Sequence, residues 1–250
     1  MWDAPATALL ASFTDMARLP RVVAVGVPHH VTQRGNARQF LLTTDAERTI
    51  YLALLRQSAE LRGLAVLGYC LMSNHVHLVV IPHHADSLAL ALKQAHGRYA
   101  AFWNASHQSS GHVWQGRFFS CPLDREHLWR ALRYTELNPV RAGLVLSAET
   151  WSWSSAGAHC GSTLRPGWLE METWDSWWTP SAWREYLSAG ETEGERIEIR
   201  RRTYSGRPLG EPAFVEQLEQ AIHRQLTPRK RGRPAKEVPA DHEESLISPE

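Results

Sequence analysis

From Val22 to Arg34 β-branched residues recur and the run closes on Arg34-Gly35-Asn36, a pattern that predicts a strand ending in a turn. Thr44-Asp45 then offers an N-cap ahead of Ile50, Leu54, Leu55 and Leu61, whose spacing predicts a first helix of about four turns. Leu64 to Leu71 and Val76 to Ile81 are apolar runs joined through Met72-Ser73-Asn74, as in an antiparallel hairpin, and Pro82 ends the second because proline cannot continue a ladder. A second helix opens at Ser87, carries Leu88, Leu92, Ala95 and Tyr99 on one stripe, and fades near Asn104. Arg117 to Cys121 reads as a short strand, and Asp124 caps a third helix through Leu128, Leu132 and Leu137 that stops at Pro139. The order strand, helix, strand, strand, helix, strand, helix predicts an α+β fold, an antiparallel sheet with helices on one face, ferredoxin-like or RNA-recognition-like.

Texture divides the chain further. Residues 1–20 show no periodicity and form an N-terminal extension, with Met16 a candidate start ahead of the main domain at 21–150. Residues 151–205 form a Trp-rich connecting region, whose Trp151, Trp153, Trp168, Trp174, Trp177, Trp178 and Trp183 suit packing against the main sheet. A small helical and basic segment, 206–236, has Pro212 opening a helix with the stripe Phe214, Leu218, Ile222 and Leu226; the acidic tail 237–250 has the composition of disorder.

The formal charge is only +1, from 27 basic and 26 acidic residues, so any affinity for nucleic acid must come from local patches. Cys70, Cys121 and Cys160 are odd in number and lack a Cys-x-x-Cys pair, which argues against a disulfide framework or zinc knuckle and fits a reducing cytoplasm. No apolar run approaches the roughly 20 residues that span a bilayer, and Ala8 to Phe13 is a poor signal peptide, so a membrane is not expected as a partner.

Two constellations could carry chemistry. In His75-Val76-His77 residues i and i+2 of a strand project from one face, so two imidazoles would converge, either as ligands of a divalent metal or as a solvated pair. Tyr134 and Asn138 stand four apart, on one helix face. A phenol with an ordinary pKa of about 10 is a weak nucleophile unless a metal polarises its target, and a helical tyrosine alone is more often a half-buried core residue. The pairs His29-His30 and His83-His84 read as structural or solvated, since neighbours on a strand face opposite ways.

Four stretches then occur in order: His30-Val31-Thr32-Gln33-Arg34-Gly35-Asn36; the block Gly68 to Pro82; Gly111-His112-Val113-Trp114-Gln115-Gly116-Arg117-Phe118; and Arg133-Tyr134-Thr135-Glu136-Leu137-Asn138-Pro139-Val140-Arg141-Ala142-Gly143-Leu144. Together they resemble the REP-associated tyrosine transposases, single-tyrosine HUH enzymes related to small insertion-sequence transposases. The resemblance implies that His75 and His77 bind Mg²⁺ or Mn²⁺, that Tyr134 is the nucleophile, and that Asn138 takes the place of a third metal ligand. Small insertion-sequence members usually carry Gln there. It also implies cleavage and rejoining of single-stranded, hairpin-forming DNA through a 5′-phosphotyrosine, no nucleotide cofactor, and a monomer or homodimer.

The DNA would be gripped by Arg34, Asn36 and Arg38 around a turn, and by Trp114 and Arg117 in a Gly-bearing loop, where Trp114 is either a stacking platform or a core anchor. Arg229, Arg231 and Arg233 lie in an Arg-Gly-Arg-Pro context suited to a narrow minor groove. Two other classes compete. One is a metal-independent two-histidine phosphoesterase using His30-Val31-Thr32 as a half-site; the other is a non-catalytic or domesticated nucleic-acid-binding regulator on the same fold.

Overall fold

The computed structural model describes residues 21–227. The basic Arg229, Arg231 and Arg233, the acidic tail and the N-terminal extension lie outside them. The described chain runs β1 (His29–Arg34), α1 (Asp45–Arg62), β2 (Leu64–Leu71), β3 (His75–Pro82), α2 (Ser87–Ser106), β4 (Phe119–Pro122) and α3 (Arg125–Glu136). There follow α4 (Asn138–Arg141), α5 (Ala156–His159), α6 (Glu172–Asp175), α7 (Pro180–Ser188), α8 (Glu193–Ser205) and α9 (Pro212–Ala221). This is the α+β order expected from the hydrophobic pattern. The four strands form one antiparallel sheet in the order β2-β3-β1-β4.

The caps act as their chemistry dictates. Thr44 and Glu47 close a capping box on α1, Gly63 ends that helix in the left-handed region at φ 60°, and the Asp124 carboxylate accepts from the His127 amide at the start of α3. Two boundaries differ from expectation. The first strand begins only at His29, because Gly26 turns the chain at φ 74° and Pro28 has no amide to give the ladder; Val22 and Ala24 instead pack against Leu218 and Leu226. On α1 the buried stripe is Tyr51, Leu55 and Ala59, which leaves Leu61 exposed.

Helices cover both faces of the sheet, which corrects the one-face expectation. Val31, Val76, Leu78 and Val80 point to α1 and α2, meeting Tyr51, Leu55, Leu88 and Leu92. Leu67, Val79 and Cys121 point the other way, to Leu128 and Leu132 of α3 and to Trp174 and Trp183 of the Trp-rich region. Trp174 and Trp183 expose no surface. At ~25 cal/mol/Å² over ~150–250 Å², burying one such ring contributes at most about 4–6 kcal/mol. The Trp-rich region is thus part of the main core. It also covers the β2 edge, where the Leu71 amide donates to the Trp153 carbonyl and the Ser155 amide to the Tyr69 carbonyl.

α3 lies close on its face because of a glycine. At Gly68, next to an irregularity in β2, a Cβ would stand 2.2 Å from Leu132 Cδ1 and 2.9 Å from Ser155 Oγ, so any side chain there would force Leu132 and Ser155 to move. That close approach brings α3 over the histidines of β3.

Candidate active site

Because strand side chains alternate, His75 and His77 share the face of Val79, the α3 side. Their ring centres are 5.1 Å apart. On β1 the register sets Arg34 opposite His75 and Thr32 opposite His77, and the same alternation turns His30 to this face while His29 turns away. Tyr134, two turns into α3, places its ring centre 5.5 Å from that of His77 and 5.6 Å from that of His30, edge-on to both. The phenol and both imidazoles therefore meet within one chain.

α3 ends at Glu136, yet Leu137 keeps helical angles, φ −79° and ψ 0°, and its amide still bonds the Arg133 carbonyl. Asn138 consequently stays on the Tyr134 side, with its side chain beside His75. Pro139 does not stop the chain as expected from sequence; it occupies the first turn of α4, where a missing amide costs nothing. α4 delivers Arg141, whose guanidinium lies over the Tyr134 ring and pairs with Glu191.

The histidines are held neutral. Burial lowers His75 to about 4, helped by the charge of Arg34 and opposed by the neighbouring Asn138 amide oxygen. Burial likewise pushes His77 well below its ordinary value, with His75 and His30 adding to the effect, and takes His30 to about 3. Each ring also has one nitrogen engaged: His75 Nδ1 is 2.6 Å from Asn74 Oδ1, and His77 Nδ1 is 3.0 Å from His30 Nε2. Asn74 Oδ1 can only accept, so His75 carries its proton on Nδ1 and its lone pair on Nε2. Tyr134 and His77 are 4% and 6% exposed, so the pair sits beneath the surface, and access is from the side of the less buried His75 and Asn138.

The turn at 34–38 and the loop before β4 are zipped together, as the Asn36 amide donates to the Val113 carbonyl and the Gln115 amide to the Arg34 carbonyl. Asn36, Arg38 and Arg117 are exposed and Arg34 is half-buried beside His75. Trp114 departs from the DNA-contact expectation: it is 8% exposed, packs on Tyr51, His96 and Tyr99, and donates its indole N–H to the His96 carbonyl at 2.9 Å. It is a core anchor, with no free face for a base.

The phosphoesterase half-site is not available either. The Thr32 hydroxyl donates to the Val76 carbonyl at 3.1 Å, and His30 Nε2 is turned to His77. His83 and His84 are exposed, as expected of solvated residues. His30, grouped with them on sequence, belongs to the site instead. Sequence reasoning gave no role to Arg141 or to Thr203 of α8, which bonds His30; Arg141 stands in the quoted motif, whereas nothing near Thr203 in the chain signals its contact.

With this geometry in view, comparisons place the domain. Residues 25–138 match the family model of IS200-like transposases. In fold it is similar to the REP-associated tyrosine transposase bound to a REP hairpin, with a TM-score of 0.51 and 17% identity over 63% of this chain and 93% of that one. At such identity the likeness is one of fold. A Deinococcus radiodurans R1 protein provisionally described as a transposase is 17% identical over 47% of this chain and 95% of its own, with a TM-score of 0.34. No curated protein sequence matches this chain. Among the described residues no helix is long and apolar enough to cross a membrane.

Proposed function

We propose that this chain cleaves and rejoins single-stranded DNA at hairpin-forming repeats through a phosphotyrosine on Tyr134. The observation that carries the reading is that the Tyr134 ring stands against His77, itself against His75, in one chain, on a segment that matches the IS200-like family model. The fold shared with a hairpin-bound REP-associated transposase supports the choice of DNA.

The donor set fits a divalent ion such as Mg²⁺ or Mn²⁺. Two neutral imidazoles offer nitrogen lone pairs, and the Asn138 amide oxygen, at the position the family resemblance gives to a third ligand, would be the third donor. When bound, such an ion would polarise the scissile phosphate and offset charge on the leaving oxygen. The chain's own residues do the rest. The Tyr134 oxygen attacks phosphorus, the bond from phosphorus to the 3′-oxygen breaks, and the phenolic proton is lost as the 3′-oxygen gains one. DNA remains joined to Tyr134 by its 5′-phosphate. The ester's free energy is kept, so a second 3′-hydroxyl attacking phosphorus releases Tyr134 and reseals a strand without a nucleotide cofactor.

Arg34, opposite His75, and the exposed Asn36, Arg38 and Arg117 would hold phosphates of the strand. The test is incubation of the full chain with labelled single-stranded hairpin DNA and Mg²⁺ or Mn²⁺. A covalent protein–DNA adduct is expected from the single strand and none from its duplex; no adduct with any hairpin of a repeat panel would overturn the reading.

A further inference from the structure

Behind the two histidines lies a buried chain of hydrogen bonds: His77 Nδ1 to His30 Nε2 at 3.0 Å, His30 Nδ1 to Thr203 Oγ1 at 2.7 Å, and Thr203 Oγ1 to Cys121 Sγ at 3.4 Å. None of the four residues is more than 6% exposed. The planes of the two imidazoles differ by 12° and their centres are 5.2 Å apart, the arrangement of rings meeting edge to edge through an N–H···N bond rather than face to face. One proton lies in that bond, and its owner decides which nitrogen of His77 is free.

We infer that His30, held by Thr203, is a positioning residue that keeps His77 protonated on Nδ1 and so presents the Nε2 lone pair to a metal. The inference rests on the metal-site reading above. If His77 owns the shared proton, His30 Nε2 is bare, so His30 carries its own proton on Nδ1 and donates it to the Thr203 hydroxyl, which in turn donates to Cys121. If the hydroxyl instead donated to His30 Nδ1, His30 would carry its proton on Nε2 and give it to His77 Nδ1. His77 would then be protonated on Nε2 and closed to a metal. Both arrangements give every member of the chain a partner, Cys121 donating to Thr203 in the second, but only the first leaves the donor nitrogen open. A hydrogen-bonded partner of this kind fixes both the tautomer and the ring orientation of a ligating histidine.

The relay joins distant parts of the chain. His30 lies on β1 and His77 on β3, inside the matched transposase segment, whereas Thr203 lies on α8, beyond it. α8 is thereby wired to the donor set rather than appended to it.

The experiment measures Mn²⁺ affinity of the full chain without DNA by calorimetric titration, alongside two-bond ¹H–¹⁵N spectra that report the tautomers of His30 and His77. His30→Leu should weaken Mn²⁺ binding by roughly 10–100-fold, the usual effect of losing such a partner. Thr203→Val keeps the shape but removes the hydroxyl, and should weaken binding and mix the His77 tautomers; Thr203→Ser should restore both. Unfolding midpoints measured beside each titration separate loss of fold from loss of the relay. Unchanged affinity in folded His30→Leu and Thr203→Val, or a wild-type His77 protonated on Nε2, would overturn the relay while leaving the metal site standing. A wild-type chain that binds no Mn²⁺ would sink the metal site and the relay together.

Discussion

The guanidinium of Arg141 lies 4.2 Å from the centre of the Tyr134 ring, and its Nη2 donates to the Tyr134 carbonyl at 2.7 Å. One side chain thus clamps both the ring and the backbone of the residue proposed to attack DNA. Arg141 is itself held by Glu191, whose side chain is only 4% exposed and whose carboxyl is pushed up by burial while Arg141 pulls it down. Arg141→Ala strands that carboxylate, and losing one partner of a buried pair costs ~3–5 kcal/mol. Adding Glu191→Gln removes the stranded charge, so the double variant should recover at least half of the loss in urea unfolding. Strictly additive losses would show that the two residues do not act as a pair.

Tyr134→Phe separates packing from chemistry. The ring still meets His77, His30 and Arg141, so unfolding midpoints and single-strand affinity should stay near wild type while adduct formation falls below detection. Retained adduct in the Phe variant would mean that another residue attacks. Chelation should act on the same step: excess EDTA should abolish adduct formation by the wild type, and added Mn²⁺ should restore it.

Two residues beyond Tyr134, Glu136 is fully buried and accepts from Ser155 Oγ at 2.5 Å, His159 Nδ1 at 2.6 Å and Trp183 Nε1 at 2.8 Å. Three donors from the Trp-rich region therefore converge on α3 just behind the tyrosine. Glu136→Ala leaves His159 Nδ1 and Trp183 Nε1 without an acceptor, with Ser155 Oγ keeping only the Tyr69 carbonyl at 3.3 Å, and should cost ~3–5 kcal/mol. Adduct formation should drop as well, because the network fixes the position of α3 on the sheet. A loss below ~1 kcal/mol in chemical denaturation would contradict this account.

How far the sequence discloses this arrangement depends on the range of each signal. His75 and His77 are legible because a period of two is a property of the strand itself, and Tyr134 and Asn138 because four residues close a helical turn. The one-face expectation misses the second helical layer, although Leu64–Leu71 and Val76–Ile81 are nearly continuous apolar runs, as strands buried on both faces are, rather than alternating ones. Trp114 could not be resolved, since a tryptophan in a polar loop has no periodicity to show which way its ring turns. The bond from His30 to Thr203 spans 173 residues, and no local pattern encodes a contact made only when α8 docks on β4.

Two histidines away from the site give the fold a pH dependence of defined sign. His29 donates through Nδ1 to the Val27 carbonyl at 2.7 Å while its Nε2 faces the Ala24 amide at 3.4 Å, and His96 Nε2 meets the Tyr51 hydroxyl at 3.1 Å. Burial lowers them to about 4 and about 3, against an ordinary 6.5 for imidazole. Below pH 6.5 the unfolded chain binds protons that the native state refuses, so stability is complete above that value and falls with pH until the folded values are reached. Each such group contributes a slope of up to ~1.4 kcal/mol per pH unit. Burial lowers His30 and His75 in the same direction, so urea midpoints should fall steeply from pH 7 to pH 4.5. His96→Gln keeps an acceptor for Tyr51 without a titrating ring and should flatten that slope by about one proton's worth. An unchanged slope in the folded variant would mean that His96 is already charged in the native protein.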